Sequence, residues 1–458
     1  MSRVHASNPT TFSQRVAMRV LSVVPIVCAA ATAGAQTPRM PVRVLPAPTV
    51  TSGEVLGSLA AVRQLPDGKL LVNDQARRRV LLMDSSLTLL DVVADSSSRT
   101  ASAYGVQPGG LIAYRGDSTL FVDPASLSML VIDPAGKVAR VMAAPRAADA
   151  QSLVGGPAGN PGFDQQGRLV YRVSFRPTFG HSAAGGAPAL PQFPDSAAIV
   201  RFDLAARRLD TAAFVKIPKI TMRVSQDEAG GMRVSSLLNP LPVVDDWAVM
   251  NDGSIAIVRG REYRVEFLNA DGSRTAGEKI PYEWQRLTDE DKAAFIDSTK
   301  AAMTRQRAAS SGASAGASSP GAAGGPAAAG AGIGGATQMI TMRVDGSGAA
   351  TQVVGPPPGG LPPLEFVAPS ELPDYKPAFG TGAVRADADG HVWVRTIPTK
   401  PTAGGAIYEV IDRTGNLVDR VQVPAGTTIA GFGKGGVVYL GMRDAAGVHL
   451  LRARAGAR

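Results

Sequence analysis

A tight turn followed by a short apolar strand recurs along this chain, and the recurrence constrains its fold more than any other feature. The clearest copy is Asp387-Ala388-Asp389-Gly390-His391-Val392-Trp393-Val394-Arg395. Two further strands follow it, at 406–412 and 417–423, separated by the turn Arg413-Thr414-Gly415-Asn416. Variants occur at Asp67-Gly68-Lys69-Leu70-Leu71-Val72, Gly116-Asp117-Ser118-Thr119-Leu120-Phe121-Val122 and Gln166-Gly167-Arg168-Leu169-Val170. Two more are Asp252-Gly253-Ser254-Ile255-Ala256-Ile257 and Gly435-Gly436-Val437-Val438-Tyr439-Leu440. Asp-Gly between apolar runs marks a hairpin, because glycine accepts the positive φ of a tight turn.

Each copy is followed by another strand, at 80–84, 129–133, 199–203, 263–268 or 448–452, and usually by a second turn such as Asp133-Pro134-Ala135-Gly136. The unit is therefore four strands. Residues 68, 118 and 167 are spaced by 50 and 49, and 390 and 436 by 46. Four-stranded repeats of about 40–50 residues are propeller blades. Six units predict an all-β fold, a six-bladed β-propeller of four-stranded antiparallel blades. Its inner strands fall at 59–65, 110–115, 159–165, 244–250, 382–387 and 429–433. The last unit lacks an outer strand. Residues 41–46 belong to no unit and are expected to supply it, leaving no open sheet edge.

The larger gaps hold insertions. Residues 175–193 read as a long loop. A second insertion, 281–338, combines a helix with a linker. Thr288 is a good N-cap, Asp289, Glu290 and Asp291 fill the first turn, and Ala294, Phe295, Thr299 and Met303 form a partial apolar face, which predicts a helix over 289–303. Residues 308–335 are nearly all Ala, Gly, Ser and Pro, a composition that cannot bury a core and suits a flexible linker. Ile-Thr-Met-Arg-Val occurs twice, at 220–224 and 340–344, and both copies read as strand pieces beside the insertions.

Residues 1–35 read as a secretory signal. Arg15 and Arg19 flank an apolar run over 20–33 that is too short to span a membrane, and Ala33-Gly34-Ala35 gives a small-x-small cleavage pattern. The mature domain is then 36–458, periplasmic or extracellular. Cys28 is the only cysteine, and the bulky Val27 before it argues against lipidation. Cleavage after Ala35 leaves no cysteine and no thiol chemistry. Removing Arg3, Arg15 and Arg19 lowers the formal charge from +9 to about +6. No run of Lys and Arg interleaves with aromatics, so nucleic acid is not an expected partner.

The first unit, Asp67-Gly68-Lys69-Leu70-Leu71-Val72-Asn73-Asp74 with Arg79-Val80-Leu81-Leu82-Met83-Asp84, resembles the NHL propeller repeat: turn, strand, acidic residue, second strand and closing Asp. In the second unit Asp123 stands at the place of Asp74. The resemblance implies a six-bladed architecture over most of 53–455. Propellers of this kind include binding scaffolds, sensor ectodomains and metal-dependent enzymes, so the fold selects no activity.

Candidate functional residues are few. Histidine is limited to His5, His181, His391 and His449, with no metal-ligand spacing. There is no Gly-x-Ser-x-Gly elbow, phosphate-binding loop or His-Glu-x-x-His. A lactonase-like enzyme would need calcium at the channel, and Asp245 and Asp246 are the only acidic pair on an inner strand. Turns between strands one and two carry Asp67, Asp117, Asp252 and Asp389, predicting one acidic face. The opposite face carries Arg77, Arg78, Arg79, Arg176, Arg259, Arg261, Lys400 and Arg443, with Arg172, Arg259 and Arg395 at one repeat position. Converging guanidinium groups suit carboxylate or phosphate. Arg172, Arg259, Arg261, Arg395 and Arg443 are thus the candidate ligand-binding residues of an exported, monomeric, non-catalytic module for an anionic small molecule, a glycan or a protein. The alternative is a calcium-dependent propeller hydrolase or lyase of lactonase-like type.

Overall fold

The hairpins of the chain close on left-handed turn residues and on side chains that cap the turn. In the fourth unit Gly253 has φ 81°, and a Cβ there would press on the backbone of Asp164 and Gln165. Asp252 beside it accepts the Ser254 N–H at 2.9 Å. Between third and fourth strands, Asp133 accepts N–H groups of Ala135 and Lys137, and Asp412 those of Thr414 and Asn416. These aspartates satisfy turn donors that would otherwise need water.

The computed structural model describes residues 40–97, 103–174, 193–226, 232–314, 341–344, 350–352, 364–400 and 402–456. The signal segment, Arg176, His181, nearly all of loop 175–193 and most of the Ala/Gly/Ser/Pro tract lie outside them. The chain begins with β1 (Arg43–Val44) and β2 (Val50–Thr51). Blade 1 follows, with β3 (Leu59–Gln64), β4 (Leu70–Asp74), β5 (Arg79–Met83) and β6 (Leu89–Ala94). Blade 2 comprises β7 (Gly110–Ala113), β8 (Thr119–Asp123), β9 (Ser128–Ile132) and β10 (Val138–Ala143). Blade 3 comprises β11 (Gly162–Phe163), β12 (Leu169–Arg172), β13 (Ser196–Asp203) and β14 (Arg208–Lys216). After β15 (Thr221–Gln226) and β16 (Met232–Leu237), blade 4 is built from β17 (Asp246–Val249), β18 (Ile255–Arg259), β19 (Arg264–Leu268) and β20 (Arg274–Ala276). Next come α1 (Asp289–Ser314), β21 (Thr341–Val344) and β22 (Ala350–Gln352). Blade 5 is β23 (Val384–Ala386), β24 (Val392–Arg395), β25 (Ile407–Ile411) and β26 (Leu417–Gln422). Blade 6 is β27 (Thr427–Gly433), β28 (Val437–Arg443) and β29 (Val448–Arg454), completed by β2.

The six blades form a ring, and the core lies between them. An apolar layer occupies each junction: Leu71 with Phe121 between blades 1 and 2, Leu120 with Leu169 between 2 and 3, and Val170 with Trp247 between 3 and 4. Val265 with Val392 fills the next junction, Trp393 with Leu440 that between 5 and 6, and Val72 with Tyr439 closes the ring. Burying these side chains from water is the main stabilising term.

Ring closure differs from the expectation in one respect. The strand completing blade 6 is β2, antiparallel to β29 with Val50 opposite Arg452, and not 41–46. Residues 41–46 contain β1, which pairs in parallel with β26 as a fifth strand of blade 5. Pro46 and Pro48 explain the division. Leu45 N–H bonds Gln422 O and Thr49 N–H bonds Arg452 O, both at 2.8 Å, while the two prolines between have no N–H to keep the chain on one sheet. Leu45, 2% exposed, lies in the layer between blades 5 and 6.

Segments beside the insertions build a seventh sheet, β15-β16-β21-β22. The two Ile-Thr-Met-Arg-Val copies contribute β15 and β21, which flank β16 antiparallel on either side. Helix α1 starts after the Thr288 cap, whose Oγ1 accepts Asp291 N–H while the Asp291 carboxylate accepts Thr288 N–H. It runs past 303 to Ser314, since Arg305, Gln306, Arg307 and Ala308 are good helix formers. Phe295 and Ile296 pack with Leu241, Leu287, Val367 and Leu372.

Leu45→Ala should cost about 2–4 kcal/mol, because it empties a closed inter-blade site. Deleting residues 40–52 should cost more by opening blade 6. Urea unfolding checks both: the midpoint falls with an unchanged slope for Leu45→Ala, and a midpoint equal to wild type would show that the N-terminal strands do not close the ring.

Candidate functional site

Where blades 3, 4 and 5 meet, one carboxylate ties the inner strands of blades 4 and 5 together. Asp246 opens β17, is 3% exposed, and accepts Val384 N–H from β23 and Trp247 N–H, both at 2.9 Å. The carbonyl of Val384 accepts Asn160 Nδ2, from the segment leading into β11, at 2.6 Å. Trp247 donates its indole N–H to Ala158 O at 3.0 Å, and Gly159, at φ 94°, leaves the space the indole fills. Burial pushes the Asp246 carboxyl up to about 6, against the pull of the Val384 and Trp247 N–H groups and the Arg172 charge.

Two guanidinium groups, those of Arg172 and Arg385, lie within the field of this carboxylate, and a third, Arg395, stands within that of Arg385. Arg172 ends β12, Arg395 ends β24 at the same repeat position, and Arg385 lies on β23. All three are half-buried. Among the described residues, none has a side-chain hydrogen bond or close ion pair. Desolvation holds Arg172 and Arg385 below the usual arginine range; Asp246 opposes this at both, and Arg395 adds to it at Arg385. This end of the channel is therefore cationic and partly dehydrated around one acid.

The other sequence candidates lie elsewhere. Arg259 shares the repeat position but reaches outward to Asp245 at 2.8 Å, Glu266 at 2.7 Å and the Phe214 carbonyl of β14. Arg261 is exposed, and Arg443, also exposed, donates to Gly57 O at 3.2 Å. Asp245 and Asp246, being successive, leave the chain in opposite directions. Asp245 accepts Arg259 and the N–H groups of Lys216 and Gly260, so the pair does not converge as a hard cation requires. Among the described residues no group of three His, Cys, Asp or Glu side chains gathers as metal ligands do. His391 bonds Asp387, and His449 lies 3.1 Å from Asp444. Asp74 accepts Gly57 and Ser58 N–H and so anchors the entry to blade 1. Arg385 escaped the sequence reading, although it stands inside the predicted inner strand 382–387, where a lone guanidinium is its own signal.

On the opposite face the turn acids are neutralised: Asp67 pairs with Lys69, Asp252 with Arg413, and Asp389 accepts Gly435 and Gly436 N–H.

No protein-family profile matches the sequence, and no curated protein does. Solved structures similar in fold include virginiamycin B lyase from Staphylococcus aureus, at 10% identity over 87% of this chain and 96% of that one, with a TM-score of 0.32. A gluconolactonase from Xanthomonas campestris is 12% identical over 90% of this chain and 99% of that one, with a TM-score of 0.25. A luciferin-regenerating enzyme is 10% identical over 89% and 96%, with a TM-score of 0.33. These neighbours are named as enzymes, but likeness at such scores carries no argument about this chain. The six-bladed assignment rests on its own strand order and inter-blade layers.

Asp246 makes stability depend on pH in a defined direction. Its folded pKa lies above the ordinary carboxylate value, so the fold favours the protonated form. The group costs nothing below about pH 4 and penalises folding by up to about 3 kcal/mol as pH rises past about 6. Asp246→Asn should therefore gain on wild type, in urea midpoint, between pH 4 and 7. A constant difference between the two proteins across that range would contradict the assignment.

Proposed function

We propose that this propeller binds a small organic anion, a carboxylate or a phosphate, in the recess between Arg172, Arg385 and Arg395. The observation that carries the reading is the clustering of three guanidinium groups, without side-chain hydrogen bonds or ion pairs among the described residues: Arg172 and Arg385 beside the buried Asp246, and Arg395 beside Arg385. Guanidinium groups offer paired donors that match the oxygens of these anions, and partial dehydration strengthens each contact. The reading uses no metal: a dication would meet three positive charges and one carboxylate. The signal-like N-terminus supports a reading in which the chain acts outside the cytoplasm, as a capture module.

A second reading, a hydrolase or lyase, is favoured by one feature. A carboxyl titrating near 6 beside an anion-binding recess can take or give a proton at neutral pH. Asp246 would then be the general acid or base, acting on a ligand oriented by the arginines.

Calorimetric titration with dicarboxylates and sugar phosphates tests the first reading. Arg172→Ala combined with Arg395→Ala should weaken binding at least tenfold, and equal affinity in the double variant would refute it. Binding should also weaken as pH rises through about 6, because ionised Asp246 cancels part of the positive field; Asp246→Asn should remove that dependence. Turnover of lactones or esters, abolished in Asp246→Asn while binding persists, would establish the second reading.

A further inference from the structure

The opposite end of the ring carries a cavity of about 710 Å³ between blades 6 and 1. Four cations border it: Arg63 on β3, Lys434 in the β27–β28 turn, and Arg452 and Arg454 on β29. Asp117 is the one carboxylate in its wall. Phe432, Leu65, Val437 and Tyr439 give it an apolar side. Turn acids predict an acidic face here, yet the cavity is basic, since Asp67, Asp252 and Asp389 outside it are engaged by Lys69, Arg413 and the Gly435 and Gly436 N–H groups.

Two of the cations are fixed in place. Arg63 donates to Ser118 O at 2.8 Å and to Thr119 Oγ1, and burial lowers its pKa to about 10 against the attraction of Asp117. Arg452 donates to Ser85 O. Lys434 and Arg454 are exposed, and among the described residues their side chains have no hydrogen bond or ion pair. The Lys434 backbone is held by Gln64 Oε1 at 3.1 Å, so its charge is anchored at the rim. A recess of this size, with cations on one side and the half-buried Phe432 ring on the other, has the make-up of a small-molecule site.

We infer that this cavity is a second binding site, for an organic anion with an apolar body. The charged head meets Arg63, Lys434 and Arg454, and the body lies along Phe432. The site shares no residue with the recess at the other mouth, so the two can be tested apart.

Titrating the full chain with phenyl phosphate, benzoate and inorganic phosphate tests this. Phenyl phosphate or benzoate should bind, with the tighter of the two identifying the preferred head group. Inorganic phosphate should bind at least tenfold more weakly than phenyl phosphate. Lys434→Glu with Arg454→Glu, both on the surface, should weaken the aryl anion at least tenfold, while Arg172→Ala with Arg395→Ala leaves this phase unchanged. An unaltered melting temperature shows that the charge-reversed protein is folded. The inference is overturned if wild type binds neither aryl anion, if the charge reversal has no effect, or if inorganic phosphate binds as tightly as phenyl phosphate.

Discussion

The closure of blade 6 by β2 is the constraint on which the rest of the ring depends. No blade buries its apolar faces alone; each needs a neighbour on both sides. Five junctions form between consecutive blades, but the sixth exists only if the two chain ends meet. The pairs Val50 with Arg452, Thr51 with Leu451 and Leu56 with Val448 make that join, and β1 on β26 holds the approach to it. The same join places Val72 against Tyr439 and sets the width of the channel whose mouths carry the unpaired cations.

Architecture was legible in the sequence because it repeats. Turn glycines, apolar strands and capping aspartates recur at nearly fixed spacing, and each recurrence restates one hairpin. What does not repeat was hard to read. Strand β2 was missed because two residues beside Pro48 give no periodic signal, whereas 41–46 alternates visibly. The seventh sheet was missed for a related reason: its strands come from two segments more than a hundred residues apart, and sequence gives no register between them. The duplicated Ile-Thr-Met-Arg-Val was the one trace, and its meaning emerged only when both copies paired with β16.

The arginine site was legible only by half, and local electrostatics explain which half. Arg172, Arg259 and Arg395 share a repeat position, but their neighbours differ. Around Arg259 stand Asp245 and, two residues along the facing strand from Arg264, Glu266. The equivalents in blade 5 are Ala383 and Val410, and in blade 3 Asn160 and Arg201. Only blade 4 supplies acids, so only its arginine is drawn outward. Repeat alignment of the acids, rather than of the arginines alone, separates the two outcomes.

A basic chain on this fold concentrates its positive charge at the axis for a structural reason. Each hairpin needs a donor-satisfying side chain at its turn, and Asp84, Asp133, Asp203, Asp271, Asp412 and Asp444 fill that role by accepting backbone N–H groups. These acids are committed to the rim of the ring, away from the channel. Arginines occupy strand ends and inner strands instead: Arg172, Arg385 and Arg395 stand at one end of the ring and Arg63 at the other, where arginines outnumber acids. Fields from like charges add where low-dielectric walls surround them, so both openings of the channel become attractive to anions. Asp246 and Asp117, one acid at each opening, then limit the repulsion among guanidinium groups. In Asp246, whose carboxyl titrates near neutrality, that limit weakens as the pH falls, making the recess between blades 3 and 5 the more pH-responsive of the two.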